Sequence, residues 1–394
     1  MSTMMSRSLA VGLAMVVALQ PVAHAARGYD FIKLVDHVDD NYNARSFTCA
    51  SINEAGDVAF KASRTAPDGL NFWDVIARVD RTGVITTIVE DPNKTQFQFF
   101  SNFVSINDAG QTSFGAFLSN DDRAMIRADA TSLVTIASTA GEFDAFGFDT
   151  QLNNSGEVAF TAQLDDTNRG LFSGAGQAVT THYLDTTPVQ VDGMPTDLFG
   201  GNFGRPAINT AGELAFFDFV EPDFNHGIFA GREDVFRSLG PTEPNRQYHD
   251  PNLNNLGIAA FETSFVNDQG LFVTAIVISD EGVMSTVADT LDGYAGFGFY
   301  APAINNLGQV AFEGLLTDFT NDGVFTGSNP KKDAIITSTD KLDRARIISG
   351  SITFCAEGLN DSGEVAFIVD LEDNALLEGF RSAIYLATPK KPRP

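Results

Sequence analysis

A short motif that recurs seven times constrains the fold of this chain more than any other feature. Its clearest copy is Leu152–Ala162, with the sequence LNNSGEVAFTA. In every copy a glycine follows the asparagine by three residues and a phenylalanine follows it by seven. The asparagines, spaced 54, 46, 56, 45, 51 and 55 residues apart, are Asn53, Asn107, Asn153, Asn209, Asn254, Asn305 and Asn360. Self-similarity at this period indicates a repeat architecture.

The motif is typical of a tight β-hairpin. The asparagine side chain can bond the backbone two residues on, and the glycine supplies the positive φ that a type I turn with a bulge requires. Apolar residues on both sides of the turn predict two strands that meet there. Because active-site residues usually occur once and scaffold residues recur, we interpret the motif as structural.

Each unit predicts four strands, and the two ends of the chain complement each other. The third strand of a unit is exemplified by Gly170–Ser173 and the fourth by Val84–Val89. The last unit stops at its third strand, Ala383–Ala387, whereas the N-terminus has a surplus strand, Tyr29–Val35. We therefore predict an all-β fold, a seven-bladed β-propeller of four-stranded blades whose ring is closed by the N-terminal strand. A linear solenoid is the alternative, but it normally needs polar capping repeats, and none is visible.

The N-terminus has the pattern of a secretory signal peptide. Arg7 precedes the apolar run Leu9–Leu19, and Ala23–Ala25 provides an A-x-A cleavage site. The run is too short for a transmembrane span. We expect a signal peptide at residues 1–26, a single propeller domain at 27–389 and a basic proline-rich tail at 390–394. The mature protein is expected to be secreted or periplasmic.

The chain has two cysteines, Cys49 in the first unit and Cys355 in the last. Export would place them in an oxidising compartment, where a disulfide persists. In a closed ring the first and last units are neighbours, so we expect these cysteines to be bonded. Two buried free thiols are the alternative, because a disulfide requires Cα atoms within about 7 Å of each other.

The charge of the chain restricts its partners. Its 51 acidic and 25 basic residues give a formal net charge of −26. This charge disfavours nucleic acid and anionic membrane surfaces. We expect a monomer with no membrane span that binds a glycan or a protein.

The repeat Asn-x-x-Gly-x-Val-Ala-Phe resembles that of the exported NxxGxxAF tandem-repeat proteins of bacteria, which are similar in style to HAF-like repeats and include choice-of-anchor proteins. The resemblance covers essentially the whole mature chain. The second unit departs from it with Thr112–Phe114 in place of Val-Ala-Phe. Many similar proteins carry a C-terminal anchoring segment, and no hydrophobic tail accompanies Lys390–Pro394 here. The family is described by its repeat, so the resemblance implies an exported repeat protein and no catalytic residues.

Residues that break the repeat are the candidates for function. Four positions before the repeat asparagine, three successive units carry Asp149, Arg205 and Asp250, and His249 is adjacent to the last. We expect these groups to lie at one level near the axis. There they could bind an acidic sugar, or act as a base with a charge-stabilising arginine, as in a polysaccharide lyase. A salt-bridge cluster between blades explains the three charged residues equally well.

The segments between units are rich in Phe, Gly and Asp, as in Phe143–Asp149 and Asp292–Tyr300. In a propeller such segments lie on one face, and an aromatic, acidic loop face suits a carbohydrate or a protein. The alternative is that these phenylalanines fill the space between blades. The candidate binding residues are Arg246, Tyr248, Phe146 and Phe297.

Acidic turns form a second group of candidate site residues. Their oxygen ligands suit Ca²⁺, but their spacing matches neither an EF-hand nor a nonapeptide calcium loop. Hairpin turns use the same residue types, so calcium sites and ordinary turns are both open. The candidate calcium ligands are Asp165, Asp166, Asp318 and Asp322.

Two functions remain open at this stage. The first is an exported, non-catalytic β-propeller that binds a glycan or a protein through its loop face. The second is a polysaccharide lyase or hydrolase with its active site at the mouth of the channel. The first is favoured because the sequence shows no complete catalytic constellation, although such sites are often assembled from distant loops.

Overall fold

The computed structural model describes residues 28–147, 149–198 and 204–390, which form 35 strands and no helix. These strands form seven blades, which confirms the predicted seven-bladed β-propeller. In the described ranges, no helix is long and apolar enough to cross a membrane. The predicted signal peptide, residues 1–26, lies outside the described residues, as do residues 391–394 of the predicted tail.

The strands are numbered in chain order, and β1 (Tyr29–Asp36) precedes the first repeat unit. Blade 1 contains β2 (Ala50–Ile52), β3 (Val58–Thr65), β4 (Phe72–Val79) and β5 (Ile85–Glu90). Blade 2 contains β6 (Phe97–Phe100), β7 (Ser105–Ile106), β8 (Thr112–Leu118), β9 (Arg123–Ala128) and β10 (Leu133–Ser138). Blade 3 contains β11 (Phe143–Phe146), β12 (Gln151–Leu152), β13 (Val158–Leu164), β14 (Arg169–Gly174) and β15 (Val179–Leu184). In blades 2 and 3 the innermost strand is split into two pieces that pair with the same neighbour.

Blade 4 contains β16 (Val189–Val191), β17 (Met194–Thr196), β18 (Ala207–Ile208), β19 (Leu214–Val220), β20 (Asn225–Arg232) and β21 (Val235–Ser238). Blade 5 contains β22 (Gln247–Tyr248), β23 (Asn252–Leu253), β24 (Ala259–Val266), β25 (Phe272–Asp280) and β26 (Val283–Asp289). Blade 6 contains β27 (Tyr294–Phe297), β28 (Ala303–Ile304), β29 (Val310–Leu316), β30 (Asp322–Phe325) and β31 (Ala334–Thr337). A two-stranded hairpin, β32 (Lys341–Leu342) and β33 (Ala345–Arg346), follows blade 6. Blade 7 contains β34 (Val365–Glu372), β35 (Phe380–Pro389) and β1.

Blade 4 departs from the four-stranded unit. The hairpin β16–β17 is added to its outer edge, where β16 pairs with β21 in parallel. The pairing covers Gln190 and Val191 against Val235 and Phe236. This addition lengthens the sheet away from the axis and leaves the inner strands of blade 4 in the same arrangement as in the other blades.

The ring is closed by the N-terminal strand, as predicted. β1 pairs antiparallel with β35, from Tyr29 opposite Pro389 to Asp36 opposite Ala383, and so becomes the outer strand of blade 7. Between blades 1 and 7 a disulfide joins Cys49 to Cys355, with Cα atoms 5.6 Å apart, which confirms the predicted pairing. The closure therefore combines a sheet edge and a covalent bond.

The repeat turns also hold neighbouring blades together. The Oδ1 atom of each repeat asparagine accepts a hydrogen bond from the backbone N–H four residues on, at 2.9 to 3.0 Å. The Nδ2 atom donates to the backbone carbonyl of the repeat asparagine in the next blade, at 2.9 to 3.4 Å. The seventh bond, from Asn360 to Asn53, completes a closed circle. We call this circle of seven buried asparagines the asparagine ring.

The glycine and phenylalanine of the motif have the predicted structural roles. The repeat glycines have φ between 73° and 81°, a region that residues with a Cβ rarely adopt. The repeat phenylalanines lie in the blade cores, and Phe60, Phe114 and Phe160 are fully buried. Each repeat motif thus supplies one tight turn and one phenylalanine to the core of its blade.

Candidate functional site

A cavity of about 840 Å³ lies at the end of the central channel opposite the asparagine ring, and all seven blades contribute to it. Six of the seven residues found four positions before the repeat asparagines line it. The seventh is Cys49, which forms the disulfide. We call this space the axial cavity. Its lining consists of Lys61, Ser63, Phe72, Asp74, Phe99, Phe100, Ser101, Asn102, Phe103, Phe117, Asp149, Gly204, Arg205, Asp250, Phe299, Tyr300, Ala301 and Ala356.

A polar network spans the channel two residues closer to the asparagine ring. Gln151 Nε2 of blade 3 donates to Asn252 Oδ1 of blade 5 at 3.1 Å. Asn252 Nδ2 in turn donates to the Ala356 carbonyl of blade 7, and the backbone N–H of Ile208 donates to Gln151 Oε1. These hydrogen bonds connect four blades across the channel.

The guanidinium of Arg205 pairs with a carboxylate that the sequence argument did not select. Arg205 Nη2 lies 2.7 Å from Glu357 Oε1, and both side chains are largely buried. Glu357 Oε2 also accepts a hydrogen bond from Ser51 Oγ at 2.8 Å. The positive charge of Arg205 is therefore compensated by blade 7.

The two aspartates of the predicted cluster have few partners. Asp250 Oδ1 accepts a hydrogen bond from the backbone N–H of Arg205 at 3.1 Å. Asp149 Oδ1 is buried and accepts no hydrogen bond from the described residues. Burial raises the pKa of Asp149 to about 7; the charge of Arg205 opposes this rise and the charge of Asp250 adds to it. Burial likewise raises the pKa of Asp250 to about 6, against the hydrogen bond and charge of Arg205.

A second ion pair lies at the blade 1 side of the cavity. Lys61 Nζ is 3.3 Å from Asp74 Oδ2. Asp74 also accepts hydrogen bonds from Ser63 Oγ at 2.8 Å and from the backbone N–H of Phe100 at 3.0 Å. This carboxylate is fully engaged with the protein, in contrast to that of Asp149.

Aromatic rings form much of the remaining wall. The rings of Phe103 and Tyr300, from blades 2 and 6, are 5.4 Å apart in an edge-to-face arrangement. Phe99 stacks on Phe117 with a centroid distance of 4.0 Å. Phe299 is 93% exposed at the rim. Phe72 and Phe99 are also exposed and line the same cavity, and contiguous exposed apolar patches can mark interaction sites.

Three of the predicted binding residues pack inside blades. Tyr248 is 1% exposed and donates from its hydroxyl to the Pro241 carbonyl at 2.7 Å. Phe146 lies in the core of blade 3 and Phe297 packs against Phe312 in blade 6. Their segments, expected to be loops, begin with β11 and β27, and a register shift within each strand turns these rings toward the core. Phe146 and Phe297 therefore pack as in the alternative interpretation, in which the phenylalanines fill the space between blades.

His249 and Arg246 do not line the axial cavity. His249 is exposed, with Nε2 3.6 Å from Glu262 Oε1. The guanidinium of Arg246 lies 4.3 Å from the centroid of the Phe265 ring, and its Nε donates to Glu243 Oε2 at 3.1 Å. The structure therefore brings Asp149, Arg205 and Asp250 together and leaves these two residues outside the group.

Three of the four predicted calcium ligands accept hydrogen bonds from the protein. Asp318 Oδ1 accepts backbone N–H bonds from Thr320 and Asn321, and these bonds lower its pKa to about 2. Asp322 accepts from the backbone N–H groups of Gly350 and Ile352. Asp166 accepts both hydrogen bonds of Asn168, and Asp165 is exposed. Among the residues described, no group of three or more His, Cys, Asp or Glu side chains is placed to hold a metal ion.

The site residues that the sequence argument missed are Glu357, Phe103, Phe299 and Tyr300. Glu357 had a usable signal, because it is the one charged residue three positions before a repeat asparagine; the others are Ala, Val, Thr and three Pro. Phe103 belongs to the same series as Asp149, but an apolar residue in that series does not distinguish a cavity wall from a blade core. Phe299 and Tyr300 had no such signal, since many phenylalanines in these segments belong to blade cores.

The chain is similar in fold to several enzymes of known structure. One is an oligogalacturonate lyase from Vibrio parahaemolyticus, with a TM-score of 0.54, 12% identity, and coverage of 91% of this chain and 96% of that one. A prolyl endopeptidase and the acylaminoacyl peptidase of Pyrococcus horikoshii each give a TM-score of 0.51 at 10% identity and 88% coverage of this chain. This chain covers 50% and 52% of those two peptidases, about half their length. At these identities the likeness shows the fold alone.

The chain matches no curated protein sequence. A sequence family does match it, over residues 36–238 and 237–392, which together span most of the propeller. The chain belongs to this family, a family of unknown function (DUF7453).

Proposed function

We propose that the protein is an exported, non-catalytic propeller that binds a saccharide in the axial cavity. The observation that carries this proposal is the cavity itself: about 840 Å³ of space that combines aromatic walls with the side chain of Asp149, whose Oδ1 atom accepts no hydrogen bond from the described residues. Small-molecule sites usually measure about 300–1,000 Å³ and combine apolar walls with a few polar groups. The disulfide supports export, as does the resemblance of the repeat to exported NxxGxxAF and HAF-like proteins.

The arrangement of the walls favours a saccharide over a protein surface. A sugar ring offers one apolar face, which can lie on a ring such as Phe299, and hydroxyl groups that can bond carboxylates and amides. The lining also offers the exposed amide of Asn102 as a hydrogen-bonding group beside the aromatic wall. A protein partner would need a wide, flat contact area, whereas this space is a concave pocket on the axis.

The charges of the cavity disfavour an acidic sugar. Arg205 is compensated by Glu357 and Lys61 by Asp74, so neither cation is free to pair with a ligand carboxylate. Asp149 and Asp250 add negative charge next to them. A neutral or cationic saccharide fits this electrostatic environment better.

The test is calorimetric titration of the mature protein with neutral, amino and acidic oligosaccharides, repeated with two matched variants. Phe299→Ala removes an exposed ring at the cavity rim. Phe272→Ala removes a ring that is 67% exposed elsewhere, on blade 5. We expect Phe299→Ala to weaken saccharide binding roughly three- to tenfold, the worth of one aromatic contact, and Phe272→Ala to leave it unchanged.

Failure of every saccharide to bind at millimolar concentration would refute the proposal. Equal weakening by the two variants would also refute it, because the binding site would then lie outside the axial cavity. Melting curves of both variants should coincide with that of the parent, since neither exposed ring supports the core.

A second candidate is a polysaccharide lyase or hydrolase acting in the same cavity. The observation in its favour is that Asp149 and Asp250 have raised pKa values of about 7 and 6, as general acids often do. The fold neighbour that is an oligogalacturonate lyase adds only a likeness of architecture. Incubation with neutral oligosaccharides and with oligogalacturonate, followed by mass spectrometry of the products, separates the two functions. Cleavage that is lost in Asp149→Asn would establish the enzyme and overturn the non-catalytic proposal.

A further inference from the structure

The charge balance of the axial cavity defines the ligand more closely. Five charged residues line the cavity, and two of them form the Lys61–Asp74 pair. Arg205 is paired with Glu357, which lies behind the wall. Among the described residues, Asp250 accepts one hydrogen bond, from the backbone of Arg205. Once these interactions are made, the Oδ1 atom of Asp149 accepts no hydrogen bond from the described residues.

A carboxylate in this position favours a cation. Removing a carboxylate from water is costly unless it is paired and hydrogen-bonded. No described residue donates a hydrogen bond to Asp149 Oδ1, and the nearby cation Arg205 is paired with Glu357. A ligand that brought its own positive charge would complete the pair. A ligand carboxylate would instead face both Asp149 and Asp250.

The aromatic wall next to Asp149 favours the same kind of group. Asp149 and Tyr300 both line the axial cavity. Tyr300 in turn contacts both Phe103 and Phe299 edge-to-face, at 5.4 and 5.5 Å between ring centroids. The faces of aromatic rings attract ammonium groups, by about 0.5–2 kcal/mol depending on solvation. A carboxylate beside a set of rings therefore attracts an amine through two independent interactions.

We infer that the saccharide bound in the axial cavity is an amino sugar whose protonated amine pairs with Asp149. This inference rests on the proposed saccharide-binding function and adds the chemical class of the ligand. An amine alone, such as a lysine side chain of a partner protein, would leave most of the 840 Å³ unfilled. A sugar ring with an amine fills more of the space and places its apolar face on the rim aromatics.

The experiment compares a β-1,4-linked glucosamine dimer with cellobiose, which carries hydroxyl groups in place of the two amines. Both are titrated into the mature protein near pH 7, close to the pKa of Asp149, where a bound ammonium group stabilises the ionised form of this carboxyl group. We expect the glucosamine dimer to bind at least tenfold more tightly. A charge-assisted hydrogen bond of about 1.5–3 kcal/mol corresponds to a preference of roughly ten- to 150-fold.

Asp149→Asn provides the decisive variant, because it keeps the shape of the side chain and removes its charge. It should abolish the preference for the glucosamine dimer over cellobiose. Asp149→Ser is a second replacement that cannot introduce a clash. Asp144→Asn, an exposed aspartate in the same blade, removes the same charge away from the cavity and should keep the preference.

The outcomes separate this inference from the proposed function. Binding of cellobiose with no preference for the glucosamine dimer overturns the amino-sugar inference and leaves the saccharide proposal standing. A preference that survives in folded Asp149→Asn and Asp149→Ser also overturns it. Tighter binding of Nα-acetyl-lysine amide than of the glucosamine dimer would show that the amine comes from a protein. Failure of both disaccharides to bind would refute the saccharide proposal and this inference together.

Discussion

The two ends of the central channel are built from the same innermost segments of the seven blades, but they differ in regularity. At the turn end every blade places an asparagine, and the seven side chains close one circle of hydrogen bonds. Four residues earlier, the same segments place Cys, Phe, Asp, Arg, Asp, Ala and Ala. The first end needs equivalence between blades, because one break would open the circle. The second end departs from sevenfold symmetry, as expected where an asymmetric ligand binds.

The same Asn-x-x-Gly turn also occurs outside the asparagine ring. Asn267 and Gly270 form the same Asn-x-x-Gly turn between β24 and β25, with the asparagine accepting from the backbone of Gln269 and Leu271. Its Nδ2 makes no hydrogen bond to the described residues, whereas the repeat asparagines donate to the next blade. The turn chemistry is therefore local, and the connection between blades depends on where the turn is placed.

The largest expected effect is on ring closure. Deleting Tyr29–Asp36 removes the outer strand of blade 7, exposes the edge of β35 and uncovers the side chains packed beneath Leu34 and Val35. We expect the truncated protein to lose its cooperative thermal transition. Circular dichroism melts of the parent and the deletion measure this, and a deletion that melts at the parent temperature would contradict the closure by β1.

A smaller effect is expected from one member of the asparagine ring. Asn153→Asp keeps the acceptor that holds its own turn but loses the donor to the Asn209 carbonyl, 2.9 Å away, and buries a charge in its place. We expect a loss of about 3 kcal/mol in the free energy of unfolding. The matched control, Asn267→Asp, should cost less than about 0.5 kcal/mol. The free energies of unfolding are measured by urea denaturation. Equal losses in the two variants would show that the bonds between blades add no stability beyond that of the turns.

The Arg205–Glu357 pair is expected to have a comparable or somewhat smaller effect at the cavity end. Arg205→Met leaves Glu357 largely buried without its cation, and the expected loss is about 2–3 kcal/mol. Changing Glu357 to Met as well removes the uncompensated charge and should recover most of that loss. Urea denaturation of the single and double variants measures both values. If the double variant lost as much free energy of unfolding as Arg205→Met and Glu357→Met together, the result would contradict the pairing.

The smallest expected effect is the pH dependence caused by Asp149. Its folded-state pKa of about 7 lies above the ordinary value of 3.8, so the folded protein binds a proton that the unfolded chain has released. The stability linked to this group is fully present below pH 4 and is lost as the pH rises through 7. Asp149→Asn should therefore be more stable than the parent at pH 8, by on the order of 1 kcal/mol. This gain in the free energy of unfolding should be smaller at pH 5. Denaturation at both pH values tests the sign.

The fold was predictable because its signals are local and repeated. The asparagine, glycine and phenylalanine of each unit determine a turn and a core position, and the surplus strand at Tyr29 indicated closure. The disulfide between Cys49 and Cys355 was predictable for the same reason, because closing the ring makes the first and last units neighbours. None of these inferences required knowledge of where any side chain points.

The site was predictable only in part. The series through Asp149, Arg205 and Asp250 reached the axial cavity because register along an inner strand is conserved from blade to blade. The aromatic assignments did not, because the register shift between Phe143 and Ala145 turns Phe146 into the core of blade 3. The Arg205–Glu357 contact joins residues from blades 4 and 7 across the channel, and such a pairing depends on the tertiary geometry of the ring.

The most direct test of the account is a crystal structure of the protein grown with the glucosamine dimer. We expect the sugar to lie in the axial cavity, with a ring against Phe299 or Tyr300 and an amine within hydrogen-bond distance of Asp149. The asparagine ring at the other end should be unchanged. A disaccharide bound on the outer edge of a blade or at the turn end, with the axial cavity empty, would contradict the assignment of function to this cavity.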